Sequence, residues 1–200
     1  MILEKILEWD RAVLLFVNGC NTPTLDFIFW NISQAKTWIP LYLLIIFFIF
    51  KTYKRKAIAT LFLIPLLILA SDQSGLFLKN YFMRLRPTHD TGFMDLLHIV
   101  NGYQGGLYSF VSQHACNTFA LATFVALLWR KQLVWLDYVL FAYSMLNCIS
   151  RVYLGVHYPT DILAGAALGT SIGFLFYFVF IHHDHDLIYN LTDKIFKPEQ

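Results

Sequence analysis

Residues 162–181 read ILAGAALGTSIGFLFYFVFI, twenty positions without one charge. A helix of about that length is what crosses a hydrocarbon core roughly 30 Å thick. The rest of the chain decides between a membrane span and a buried soluble helix. Of its 200 residues, 58% are hydrophobic, 18% aromatic and only 14% charged, and the mean hydropathy is +0.55. Soluble domains carry roughly 45–50% apolar and about 25% charged residues. One globule of this size cannot hide such an excess, which excludes a soluble enzyme, a disordered chain and a collagen-like fibre. The formal net charge of +2, with no long Lys/Arg tract, leaves no footprint for nucleic acid. Cys20, Cys116 and Cys148 form no CxxC pair, so neither a disulfide framework nor a zinc site is indicated.

Working outward from 162–181, four more segments are apolar enough to be read as spans: about 26–50, 57–82, 114–129 and 132–150. Ahead of them, residues 2–17 interleave Glu4, Lys5, Glu8, Asp10 and Arg11 with Leu, Ile, Trp and Phe. That spacing suits an amphipathic helix in the interface; the acidic residues interrupt the continuous run a signal peptide would need. The expected fold is all-α: one membrane-embedded bundle of five to six helices over 1–200. It divides into an interfacial helix (1–20), a transmembrane core (24–182) and a cytoplasmic tail (183–200).

Orientation follows from the short basic loops. Lys51, Lys54, Arg55 and Lys56 separate the first two spans, and Arg130 and Lys131 separate the third and fourth. Both loops share one side, expected to be cytoplasmic. The 84–111 loop and the 151–160 turn then face outward. Lys79, Arg84, Arg86 and Arg151 lie on that outer side against the charge trend, so they need another reason to be there. The connection after Arg86 exceeds 20 residues and carries Gly92, Gly102, Gly105 and Gly106. Loops this long in a compact domain are usually functional, and this one reads as a substrate-facing cover.

Three polar clusters close span ends on that outer side. Lys79 and Arg86, seven apart, share a face of a continuing helix. Ser112-Gln113-His114 opens the third span, with Ser112 placed as an N-cap. Ser150-Arg151, His157 and Asp161 bridge the last two spans, with Pro159 in the first helical turn. Guanidinium groups and helix N-termini bind anions, and a histidine oriented by a carboxylate serves as nucleophile or proton shuttle. Each residue alone has a plainer reading: Lys79 or Arg86 as a snorkelling anchor, His114 as an interfacial polar group, His157 with Asp161 as a structural hydrogen bond. Their convergence on one face describes a phosphate site with an acid and a nucleophile built in.

These clusters resemble the three motifs of the type 2 phosphatidic acid phosphatase superfamily. Lys79-x6-Arg86-Pro87 matches the first motif, and Ser150-Arg151-x5-His157-x3-Asp161 matches the third in full. The second, Pro-Ser-Gly-His, is matched at Ser112 and His114, with Val111 and Gln113 in place of proline and glycine. The resemblance implies a membrane lipid phosphatase, related to the soluble vanadium haloperoxidases, that works by metal-independent, two-step phosphoryl transfer without a cofactor. It implies that His157 attacks phosphorus, that Asp161 fixes its tautomer, and that His114 protonates the leaving group and later activates water. Lys79, Arg86, Ser112 and Arg151 would hold the phosphate oxygens. The implied partners are a lipid phosphate and the bilayer: phosphatidate, phosphatidylglycerophosphate, undecaprenyl diphosphate or a lipid A-like glycolipid. The implied location is a bacterial inner membrane with the site facing the periplasm. A lipid-linked phosphotransferase, and a non-catalytic protein that binds or transports lipid phosphates, are the alternatives.

Three further features bear on the site. Gly165, Gly169 and Gly173 with Asp161, and His114, Thr118, Ala122 and Ala126, form stripes at i+4. Small residues at this spacing let membrane helices approach closely, so the stripes are expected to face the bundle and bring His114 toward His157. Asp72, inside the second span, is expected either to pair with a basic residue such as Lys79 or to make a structural hydrogen bond. In the long loop, His89, Asp90 and His98 read either as contacts for a second phosphate or a sugar or as wet loop residues. The run from His182 to Asp186 reads as a solvated tail rather than a metal site.

Overall fold

The computed structural model describes residues 2–54, 57–129 and 132–182. The tail assigned to 183–200 lies outside them. Seven α-helices make up the described chain: α1 (Ile2–Gly19), α2 (Pro23–Ile32), α3 (Ile39–Tyr53), α4 (Ala57–Phe82), α5 (Gln113–Leu128), α6 (Val134–Tyr153) and α7 (Pro159–His182). The described residues contain no strand, and an isolated antiparallel bridge joins Leu85 to Tyr108. The all-α membrane bundle is the observed fold.

Three helical stretches are long and apolar enough to cross a membrane: Ala35–Tyr53, Thr60–Phe82 and Pro159–Val179. A fourth span is possible if α1 and α2, bent by 116° at their junction, count as one. The first span therefore does not begin near residue 26. Helix α2 ends at Ile32, where Thr37 Oγ1 and Trp38 Nε1 donate to the Asn31 and Ile32 carbonyls (2.6 and 2.7 Å). Those bonds satisfy carbonyls that a helix end leaves open, and Pro40 starts α3 afresh.

Helix α5 is the axis of the bundle. It covers about 24 Å at 1.5 Å per residue, short for a lipid-facing span, and ten of its sixteen residues are buried. Its small and polar composition reflects contact with protein rather than lipid. Helix α7 lies against it through glycine. A Cβ at Gly165 would sit 2.5 Å from the Ser112 carbonyl oxygen, one at Gly169 would collide with the Cys116 carbonyl, and one at Gly173 would fall 2.7 Å from the Ala120 carbonyl. The α7 stripe thus faces the bundle as expected. The α5 face that receives it is Ser112–Cys116–Ala120, not the stripe that starts at His114. Two residues along a helix is about 200° of rotation, so His114 and Thr118 point to the other side of α5, where a cavity lies.

The two ends of the bundle are chemically distinct. At one, the Tyr53 hydroxyl donates to the Leu128 carbonyl (2.7 Å) and Trp129 Nε1 to Thr52 Oγ1 (3.0 Å). At the other, the C-termini of α4 and α6 meet the N-termini of α5 and α7.

Helix α1 departs from a simple interfacial helix. Its inward seam is Asp10, Leu14 and Asn18 at i, i+4 and i+8, all buried, while Ile2, Leu3, Trp9 and Phe16 are exposed. Asp10, one of the charges interleaved along this helix, is fully buried.

Candidate active site

Capping and helix packing place the reactive groups. Ser112 caps α5 by accepting from the Ala115 N–H, and its own N–H donates to the Asp161 carbonyl (3.0 Å). That bond ties the first turn of α5 to the first turn of α7. His157 precedes α7 and is 1% exposed, with Nδ1 3.6 Å from Asp161 Oδ2. This is ion-pair range and longer than a hydrogen bond; such catalytic contacts often tighten only when substrate binds. Burial, then Arg86, Lys79, Arg151 and His114, hold His157 well below the ordinary histidine value. Its imidazole is therefore neutral at neutral pH, the state a nucleophile needs.

A cavity of about 390 Å³ at this end of the bundle is lined by His114, His157, Arg86 and Arg151 together with Asp72, Gln113, Asn117, Asn147 and Tyr103. Arg86 is fixed from behind: Nε donates to the Tyr108 carbonyl (3.1 Å) and Nη1 to the Val156 carbonyl (3.3 Å). Its pKa is lowered to about 10, by burial first and by Arg151 next, so it stays cationic. Gly105, at φ +71°, packs against this guanidinium, where a Cβ would come 2.6 Å from Nη1. Arg151 donates through Nη2 to the Tyr103 hydroxyl (2.9 Å). Its buried Nε has no hydrogen-bond partner among the described residues. A buried donor without a partner is costly, and here it belongs to a cavity already rich in cations, a setting suited to an anion.

The other candidates fall outside the cavity lining. Lys79 is buried behind Arg86 and donates to the Ser109 and Tyr108 carbonyls (3.0 and 3.4 Å). The Ser112 hydroxyl is occupied as a cap. Asp161 supports His157 from behind. From the long loop it is Tyr103 that reaches the cavity. His89 contacts its neighbour Thr88 (3.2 Å), Asp90 pairs with Arg11 (3.2 Å), and His98 Nε2 meets Asp26 Oδ2 (2.9 Å). The Asp90 and His98 contacts strap the loop to α1 and α2. Asp72 does not pair with Lys79; its Oδ1 accepts from Gln113 Nε2 (3.0 Å).

Two residues behind the site escaped the motif reading. Arg84 bridges Asp161 Oδ1 and Asp10 Oδ2, both at 2.7 Å, and lies 4.1 Å from the centre of the Tyr158 ring. Asp10 also accepts from the Thr160 N–H (2.9 Å) and hydroxyl (2.5 Å). The signal for Asp10 was its spacing of eight from Asn18, which puts the two polar residues on one seam either side of Leu14. Asp10→Ala removes one of the two carboxylates on Arg84 and the acceptor of the Thr160 N–H, leaving Asp161 as the remaining ion-pair partner, and losing a buried partner of this kind costs about 1–3 kcal/mol. Thermal unfolding in detergent is expected to show that loss, with Asp10→Asn retaining part of it.

The family model for the PAP2 superfamily matches residues 57–182. The chain belongs to the PAP2 superfamily. Among its relatives, a lipid A 4'-phosphatase of Bacteroides thetaiotaomicron is 37% identical over 181 residues, covering 89% of this chain and 80% of the relative. A lipid A 4'-phosphatase of Porphyromonas gingivalis is 36% identical over 184 residues, covering 90% and 76%. The crystal structure of Aquifex aeolicus LpxE superposes with a TM-score of 0.64 at 25% identity, covering 82% of this chain and 92% of that one. A PAP2-type phosphatidylglycerolphosphate phosphatase from Bacillus subtilis shares the fold at a TM-score of 0.70, with 22% identity and 90% and 89% coverage.

Proposed function

We propose that this PAP2 membrane lipid phosphatase removes a terminal phosphate from a lipid through a phosphohistidine, with no metal ion in the step. The observation that carries the reading is one cavity in which His157, His114, Arg86 and Arg151 meet. His157 Nδ1 faces Asp161, which leaves Nε2 to attack phosphorus. The N–P bond forms as the bond to the lipid oxygen breaks, and His114, protonated once the bound phosphate offsets the charge of Arg151, Arg86 and Lys79, gives that oxygen its proton. Water, deprotonated by His114, then attacks the phosphohistidine; the N–P bond breaks and inorganic phosphate leaves. Asp161 stabilises the imidazolium of the intermediate, and Arg84 and Asp10 hold Asp161 in place. Arg86 and Arg151 hold the phosphoryl oxygens as charge builds, with Lys79 adding positive potential from behind. This is the positioning and electrostatic work that phosphoryl transfer requires.

The relatives favour the phosphate of a lipid A-type glycolipid as substrate. Lys51 and Lys54, at the end of α3 beside the Trp129–Thr52 contact, lie at the bundle end opposite the site, which supports a site on the periplasmic face of a bacterial inner membrane. The test is phosphate release by purified protein in detergent with EDTA from lipid A, phosphatidate, phosphatidylglycerophosphate and undecaprenyl diphosphate. Fastest release from lipid A, unaffected by EDTA, is expected. Turnover of the other lipids without lipid A would overturn the substrate, and no release from any lipid would overturn the hydrolase reading.

A further inference from the structure

The phosphate-sized end of the cavity accounts for only part of it. The wall also carries a carboxylate and amides: Asp72 of α4 lines the cavity with Gln113 and Asn117 of α5 and Asn147 of α6. Asp72 Oδ1 accepts from Gln113 Nε2 (3.0 Å) and lies 3.5 Å from Asn117 Nδ2. A carboxylate inside a span is costly and is usually functional, and this one lines the same cavity as four cationic or imidazole side chains. Beyond it opens a second cavity of about 480 Å³, walled by Ile45, Leu61, Ile64 and Leu121 and sharing Tyr42, Asn117, Thr118 and Tyr143 with the first. The lining therefore runs from charged or imidazole through amide to less polar side chains along α6 (Arg151, Asn147, Tyr143) and α5 (His114, Asn117, Leu121), and from Asp72 to Ile68 and Leu61 along α4.

We propose that Asp72, held by Gln113 and Asn117, is a specificity-determining residue that accepts a hydrogen bond from a hydroxyl or amino group on the substrate. That group lies between the phosphate and the hydrocarbon chain, as in a phosphorylated sugar lipid. The inference rests on the phosphatase reading. A lipid whose phosphate is joined directly to an aliphatic chain would leave the Asp72 carboxylate and its amide neighbours without a ligand partner, a loss that binding must absorb. Gln113 is where this chain departs from the glycine of the motif it resembles, and a glycine would leave Asp72 without its 3.0 Å donor.

The test uses the full chain in detergent and two matched probes. One is a long-chain alkyl glucoside phosphate; the other is the corresponding alkyl cyclohexyl phosphate, with the same chain and no hydroxyl groups. The expected kcat/KM ratio favours the glucoside by roughly tenfold or more, the range for a hydrogen bond to a charged group. In Asp72→Asn that ratio is expected to fall by a similar factor. Equal turnover of the two probes by the wild-type enzyme would overturn the inference, as would an unchanged ratio in Asp72→Asn. Should Asp72→Asn not fold, the same ratio is read in Asn117→Leu, where a fall supports the inference and an unchanged ratio overturns it. Phosphate release from both probes with no preference leaves the phosphatase reading standing. No release from either overturns both.

Discussion

Replacing His157 by alanine is expected to lower phosphate release by a factor on the order of 10⁴ to 10⁶, the scale seen when a covalent nucleophile is removed. The protein should remain folded, because Asp161 keeps Arg84 and the Tyr158 N–H as partners (2.7 and 2.9 Å). His114→Ala should behave differently. A general acid is worth about 10² to 10⁴, and its value depends on how badly the leaving oxygen needs a proton. With p-nitrophenyl phosphate, whose leaving group departs without one, the loss on phosphorylation should shrink. The His157→Ala loss should be the same for both substrate types. First-turnover release of the alcohol from an alkyl ester and of p-nitrophenol from the aryl ester, measured with each variant, reads the phosphorylation step alone and separates the two roles. Equal dependence on leaving group in both variants would contradict them.

The second large effect concerns the contact that holds the site together. In Gly169→Leu the new side chain runs into the Cys116 backbone carbonyl, which cannot swing aside as a side-chain tip can. Overpacking typically costs about 1–3 kcal/mol where side chains can adjust, and a backbone collision belongs above that range. The variant is expected to fail as a monodisperse protein in detergent. Gly165→Ala is milder and more telling, since its Cβ presses on the Ser112 carbonyl, in the residue that caps α5. It should fold with a lowered unfolding temperature and lose activity beyond that loss of stability. Gly19→Ala is the control: nothing lies within 4 Å of its Cβ position, so a change within about 0.5 kcal/mol is expected. Unfolding temperatures of all three, measured by size-exclusion in detergent, check the series. An ordinary Gly169→Leu would contradict the close α5–α7 approach.

What could be read in advance divides along a physical line. The spans and the reactive residues announce themselves because a membrane chain has few polar groups, and each one at a span end demands a reason. The glycines of α7 were legible because a backbone approach needs an absent side chain. The face of α5 that meets them was not. Small residues run along both sides of that helix, because a central helix is packed on every side and its periodicity is erased. The burial of Asp10 was missed for a related cause. An amphipathic pattern says that two faces differ, but in a bilayer exposed apolar residues such as Ile2 and Phe16 can turn outward while Asp10 and Asn18 turn in beside Leu14. The loop histidines His89 and His98 were overvalued because their partners, Thr88 and Asp26, are fixed by the folded loop and not by spacing. Tyr103 was missed for the same reason: only the path of the loop brings its hydroxyl to Arg151 (2.9 Å).

The central claim is a covalent phosphohistidine at His157, and trapping it is the most direct measurement. Purified protein in EDTA is mixed with substrate labelled in the transferred phosphoryl group, quenched in denaturant within milliseconds, and examined for protein-bound label. The account predicts acid-labile, alkali-stable label on the peptide containing His157, present in the wild type and absent in His157→Ala. Label that requires a divalent metal, or that persists in His157→Ala, would contradict it.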